Sequence, residues 1–540
     1  MKKSLFILCL FTIVIALKGQ NDRPKLVVGI MVDQMKQEYI WRFQSDFGEN
    51  GFKRLLKDGF SAQNGHYNYA STSTGPGHAS VYTGTTPSVH GIVGNTWYSR
   101  LLNRTVYCAE DTSVVAVGGS ARSGKISPMN LYSSTITDEL KISTMQQGKV
   151  IAMSIKDRGS ALPGGHYSDG SYWYDSRTGT FMTSSYYMDE LPDWVVKFNQ
   201  QKLANEYLNQ TWDTYKPMAE YTESGVDNSP YERGFRGKET PTFPYDLSTL
   251  RAQNGNFGLL SSTPFGNKLL NEFAISAIDA ENLGADAITD FLAVSFSSTD
   301  YIGHNFGPQS KEIQDTYIRL DKEIEKLLNT LDSKVGKGNY VVFLSADHAV
   351  AENSKRMKDD KFRVDNLNGR GYSEYLEKAV NEKYGEAEWF EGPMGYDLFL
   401  DHDVVAEKNV DLYEIQMFVA RKAMAFEGIH LALTHTDLVR NSYNDKTRSL
   451  MQESFHPKES GDIKTILDPA WQRGGDKGTG HGNAWTLDTH VPIIFYGWGV
   501  KQGISVREMH ITDIAPTLSM LLRIRVPNGA KGEPIFEAIK

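Results

Sequence analysis

A chain of 540 residues, 40% hydrophobic and 23% charged, has ample material for a large buried core, as several domains or as one α/β domain with insertions. A formal charge of −9 argues against a nucleic-acid-binding surface, and two cysteines argue against a fold held by disulfides. Attraction of an anionic substrate must then be local, supplied by metals or by a few basic side chains.

The first 20 residues, MKKSLFILCLFTIVIALKGQ, place Lys2 and Lys3 before an apolar run from Leu5 to Leu17. That is the pattern of a secretory signal peptide, too short for a comfortable membrane span, with cleavage expected near Gly19 or Gln20. The expected product is a periplasmic or secreted protein without a stable membrane anchor. Losing Lys2, Lys3 and Lys18 with the leader leaves 54 basic against 66 acidic residues, or −12, and Cys108 as the one remaining cysteine.

Further along, short apolar runs end in polar residues. KLVVGIMVDQ ends at Asp33, KVIAMSIKDR at Lys156 and Arg158, DFLAVSFSSTD at Asp300, NYVVFLSADH at Asp347 and His348, and VPIIFYGWG follows His481 closely. Continuous runs of this kind suit strands buried on both faces, as in a parallel sheet. Amphipathic patterns such as NKLLNEFAISAI and QDTYIRLDKEIEKLLNTLD lie between them. The alternation predicts an open, mostly parallel α/β sheet flanked by helices, with ligands at the carboxyl ends of the strands. Two long mixed segments, about 159–260 and 350–475, read as insertions that build a cap. In the first, Tyr167, Tyr172, Trp173 and Tyr174 are candidates for stacking on a base or sugar.

The chemistry-bearing residues cluster at the expected edge. Asp300 and His304 are four apart, so a helical turn puts both on one face. Asp347 and His348 are adjacent, His481 is flanked by glycines, and Asp33 ends the first strand. Six nitrogen and oxygen ligands without a thiolate suit zinc in a hydrolytic site, and six suffice for two ions. Within ASTSTGPGHASVYTG, residues 70–84, Thr74 is the last hydroxyl before what reads as a helix start, where free N–H groups and the helix dipole favour an alkoxide or phosphate. Lys156 and Arg158, two apart in an extended segment, would face the same way.

The ordered series VDQM, STSTGPGH, GNTWY, KDRG, STDYIGH, SADH and GTGHG, spread over most of the chain, resembles the alkaline phosphatase superfamily, and within it the bacterial PafA type. The resemblance implies a zinc held by Asp300, His304 and His481 and a second held by Asp33, Asp347, His348 and Thr74. Thr74 would be the nucleophile that forms a covalent phosphothreonine, and Asn95, Lys156 and Arg158 would bind the phosphoryl oxygens. Lys156 would stand where other members hold a third metal, so no magnesium site is expected. The implied activity is phosphomonoester hydrolysis, on small esters such as sugar phosphates and nucleotides or on phosphoproteins, with release of inorganic phosphate. A phosphodiesterase or nucleotide pyrophosphatase of the same superfamily is the alternative, opposed by the Lys156 and Arg158 pair. A sulfatase would need a Cys or Ser followed by x-Pro-x-Arg, which residues 74–78 lack. A non-catalytic exported protein that binds zinc or phosphate is the remaining reading.

Overall fold

The computed structural model describes residues 23–540, so the expected signal peptide lies outside the described residues. The elements that position the site are, in chain order, β1 (Leu26–Val32), α1 (Thr74–Thr83), β2 (Val150–Ser154), α2 (Arg158–Gly164), β3 (Gly170–Asp175), β4 (Asp290–Phe296), α3 (Ser298–Phe306), α4 (Lys311–Leu331), β5 (Tyr340–Ser345) and β6 (Ile493–Gly497).

Every residue of β1, β2, β4 and β5 is buried. Both faces of these strands are covered, which is why they read as unbroken apolar runs rather than alternating ones. They form the parallel centre of a ten-stranded sheet, β5-β1-β4-β2-β3, with antiparallel strands toward both margins. The mostly parallel α/β fold read from the sequence is therefore present. VPIIFYGWG departs from it, because β6 runs antiparallel to β5. The reversal brings the segment that enters β6 to the carboxyl edge of its neighbour, the edge where β1, β2, β4 and β5 all end.

Residues 170–175 and 180–184, within the first long segment, extend the central sheet. Tyr172, Trp173 and Tyr174 are therefore core residues at 1%, 2% and 5% exposure, which leaves packing rather than stacking on a ligand as their role. Tyr172 packs edge-on against Phe273, and the Trp173 indole donates to the carbonyl of Ser123. Tyr167 alone of the four is largely exposed. The reason is that a run of aromatics is also a good strand, and burial on both faces consumes the rings. The second long segment contains a separate four-stranded sheet (Phe390–Glu391, Asp397–Leu400, Ile463–Leu467 and Ile429–Thr434). That sheet has its own apolar cluster, which includes Tyr372, Leu376, Val419 and Ile463.

Two close approaches seat α1 on the sheet. A side chain at Gly29, in the middle of β1, would meet the Tyr82 hydroxyl of α1 at 2.5 Å and the ring of Phe343 in β5 at 2.7 Å. At Gly77, in the second turn of α1, a Cβ would lie 2.1 Å from the carbonyl oxygen of Asp347. Backbone cannot yield as a side-chain tip can, so the helix start and the end of β5 are held together by the missing methyl. Gly77→Ala is expected to cost about 1–3 kcal/mol of stability, as overpacking does, and to lower turnover at temperatures where the protein stays folded. Thermal unfolding together with kcat checks both effects.

Candidate active site

Four strands deliver the charged residues to one place. Asp33 follows β1, Lys156 follows β2, Asp300 lies in the first turn of α3 after β4, and Asp347 and His348 follow β5. His481 comes from the segment that enters β6. Lys156 Nζ lies 2.7 Å from Asp33 Oδ2 and 2.5 Å from Asp300 Oδ2, all three groups being buried. His304 Nε2 is 3.1 Å from Asp300 Oδ1, on the shared face of α3. His481 Nε2 is 3.7 Å from the same oxygen, and His348 Nε2 lies 3.5 Å from Asp33 and 3.6 Å from Asp347.

Among the described residues two groups could hold a metal ion: Asp300 with His304 and His481, and Asp33 with Asp300 and His348. Asp300 takes part in both, and Asp347 adjoins the second through His348. The donor atoms fit that use. Nδ1 of His304 contacts the carbonyl of Thr479 at 2.8 Å, Nδ1 of His348 that of Ala349 at 2.9 Å, and Nδ1 of His481 that of Thr72 at 2.8 Å. A carbonyl only accepts, so each Nδ1 carries the proton and each Nε2 presents a lone pair to the cluster. Asp33 Oδ1, Asp347 Oδ2 and His348 Nε2 are buried without a hydrogen-bond partner. Orphaned polar atoms of this kind are costly unless a ligand satisfies them.

The electrostatics point the same way. Burial, with Asp347 close by, pushes the Asp33 carboxyl up to about 7, and burial pushes Asp347 up to about 6. At Asp300 burial is outweighed by His304 and Lys156, which hold the carboxyl well below its usual range. Burial lowers His348 to about 4 and takes His481 well below the usual imidazole range. Three buried carboxylates share one buried ammonium, and burial holds His348 and His481 neutral, whereas at His304 burial is outweighed by Asp300 and the imidazole is raised; divalent cations are the natural complement of such a set.

Thr74 is the first residue of α1 and is 1% exposed. Its Oγ1 lies 3.4 Å from Lys156 Nζ and 3.3 Å from a guanidinium nitrogen of Arg158. The extended geometry expected for 156–158 is corrected: Asp157 is helical, and Arg158 opens α2. A tight turn rather than strand alternation turns both cations toward Thr74. Asn95 Oδ1 accepts from the backbone N–H of Gly75 at 2.7 Å, which fixes the amide so that its NH₂ remains to donate.

Several residues in the site had no reading of their own in the sequence. Gln34, in the left-handed conformation, donates from its side chain to Asp300 Oδ1 at 2.6 Å and from its backbone to Asp347 Oδ1 at 3.1 Å. It stands inside the VDQM motif, so its neighbours were the available signal. Tyr107 accepts from Arg158 at 3.1 Å and donates to Asp157, orienting the guanidinium. His78 binds the Thr74 carbonyl at 2.9 Å and Ser295 Oγ at 2.7 Å. Tyr301 lies under Lys156, 5.1 Å from ring centre to ammonium.

Known proteins resemble this chain over most of its length. A family model for type I phosphodiesterase / nucleotide pyrophosphatase matches residues 27–491. The chain is 42% identical over 536 residues to a Myroides odoratus protein named calcium-transporting ATPase, covering 98% of each. It is 42% identical over 524 residues to alkaline phosphatase PafA of Elizabethkingia meningoseptica, covering 96% of this chain and 95% of that one. The crystal structure of wild-type PafA superposes with a TM-score of 0.92 at 42% identity, covering 96% of this chain and 99% of that one. Among the described residues no helix is long and apolar enough to cross a membrane.

Gln34→Asn retains a side chain that tolerates the left-handed backbone but is too short to reach Asp300. It is expected to weaken divalent-metal binding by about 10–100-fold, the usual cost of losing such a supporting contact. A zinc titration against a competing chelator measures the change.

Proposed function

The chain belongs to the alkaline phosphatase superfamily, among its PafA-type phosphomonoesterases, and from that premise we propose that Thr74 is the nucleophile of a two-step hydrolysis through phosphothreonine. The observation that carries the reading is Thr74 Oγ1 at a helix start, within 3.4 Å of both Lys156 and Arg158 and beside two groups of metal-binding side chains. In the first step a bond forms from Oγ1 to phosphorus while the bond from phosphorus to the ester alcohol breaks, and the alcohol leaves with a proton. In the second, water cleaves the phosphothreonine, restoring the hydroxyl and releasing inorganic phosphate.

Asp300, His304 and His481 would hold one zinc ion, and Asp33, Asp347 and His348 a second together with Thr74. These ions would supply Lewis acidity for the attacking hydroxyl and for the departing oxygen. The protein's own groups do the rest. Lys156, Arg158 and the Asn95 amide bind the nonbridging oxygens, and the free N–H groups at the start of α1 add to the positive field. Tyr107 and Asp157 hold the guanidinium in place, so little reorganisation is needed when charge develops.

Two cations beside the nucleophile favour the dianion of a monoester over the monoanion of a diester, since a diester leaves one of them without a charge to meet. The substrates are small phosphate monoesters. The leader at residues 1–20 directs the protein to the periplasm or outside the cell.

Matched aryl phosphate mono- and diesters test this reading. Lys156→Ala and Arg158→Ala are each expected to lower monoester kcat/KM by about 10²–10³-fold, the scale for removing one preorganised electrostatic group, and to lower diester kcat/KM far less. Equal losses on both would overturn the role of the pair. Thr74→Ala should retain zinc and lose nearly all turnover, and mass spectrometry of acid-quenched wild-type enzyme should find phosphate on Thr74. Bound metal counted in the same samples is expected to be about two zinc per chain.

A further inference from the structure

A cavity of about 400 Å³ adjoins the proposed reaction centre, with Ser73, Asn95 and His481 among the residues that line it. Its walls come from two parts of the fold. One is the start of the hairpin Thr96–Ser99 and Arg104–Tyr107, with Val93, Trp97 and Tyr98; the other belongs to the small four-stranded sheet, with Pro393, Tyr396 and Phe399. No lysine or arginine lines it, and the one carboxylate there, Asp397, is paired with Lys464 at 2.9 Å.

The two walls are tied together. Arg100 donates to Glu391 at 2.8 Å and to the Leu400 carbonyl at 3.0 Å, and it is also paired with Asp462. The Tyr98 hydroxyl donates to Glu391 at 3.1 Å, and the Trp97 indole to Glu459 at 2.8 Å. Tyr98 and Phe399 meet edge to face at 5.2 Å. Tyr396 is half-buried, backed by the Arg473 guanidinium 4.7 Å from its ring centre, and its hydroxyl end approaches Gly482, the neighbour of His481.

We propose that this slot is the leaving-group subsite and selects phosphate monoesters whose alcohol carries a neutral aromatic ring, as in a nucleoside or a phenol. The inference rests on Thr74 being the nucleophile, because the slot lies next to that centre. The size is within the roughly 300–1,000 Å³ of small-molecule sites, and the half-buried Tyr396 ring, backed by nearly buried Trp97, Tyr98 and Phe399, can meet a planar group without losing much side-chain entropy. The lack of a free cation disfavours alcohols that carry a further phosphate or carboxylate. Positive charge therefore meets the phosphoryl group while an aromatic, uncharged surface meets the alcohol.

Adenosine 5′-monophosphate and ribose 5-phosphate share the same departing hydroxyl and differ in the base. With zinc-loaded wild type, kcat/KM is expected to favour the nucleotide by about tenfold, the scale of one aromatic stack with its buried area. The preference should persist in Tyr396→Phe and fall to about one in Tyr396→Leu. A wild-type ratio near one, or a loss in Tyr396→Leu shared equally by both esters, overturns the proposal. Adenosine alone, titrated calorimetrically into the same three proteins, gives a reading independent of turnover: binding to wild type and Tyr396→Phe, weakened at least tenfold in Tyr396→Leu, supports the subsite, and equal or undetectable binding in all three overturns it. If wild type hydrolyses neither ester, the phosphothreonine reading fails, and the adenosine titration still decides the subsite.

Discussion

Buried carboxylates that cannot balance their own charge are the constraint on which this molecule depends. Asp33, Asp300 and Asp347 converge at the carboxyl edge of the sheet, where one buried ammonium, Lys156, stands between two of them. Burial and mutual repulsion drive two of the carboxyls toward neutrality, and one oxygen of each lacks a hydrogen-bond partner. Such a set is expensive in a protein interior unless ions complete it. The surrounding structure serves to hold the donors open: carbonyls fix the tautomer of three histidines, and Gln34 braces two of the aspartates.

The nucleophile candidate is placed by packing rather than by a flexible loop. Thr74 stands at the start of a helix pressed onto β1 through Gly29 and onto the end of β5 through Gly77. Arg158 likewise begins a helix, and Tyr107 and Asp157 fix its direction from outside. Reacting groups on helix starts inherit the rigidity of the sheet beneath them, which is what an electrostatically preorganised site requires.

The small four-stranded sheet adds a different kind of control. Its apolar cluster is separate from the main core, yet Arg100 joins it to the hairpin that follows Asn95. In the proposed arrangement the phosphoryl side is built from the central sheet, whereas the alcohol side would borrow a wall from this second unit. Chemistry and selectivity would then reside on separately packed parts of the chain, so that one could change without disturbing the other.

The sequence by itself determined the central strands, the carboxyl-edge position of Asp33, Lys156, Asp300 and Asp347, and the shared helical face of Asp300 and His304. It could do so because strands buried on both faces must be apolar throughout, so a polar residue at the end of such a run marks the edge, and because the i, i+4 relation is local. Local pattern carries no information about partners distant in the chain. The antiparallel course of β6, the burial of Tyr172, Trp173 and Tyr174, the turn that aims Lys156 and Arg158, and the bracing by Gln34 and Tyr107 all depend on what packs opposite. The aromatic slot is the clearest case: Trp97 and Tyr396 lie about three hundred residues apart in the chain, and only the closure of one sheet against the other makes them two walls of a single cavity.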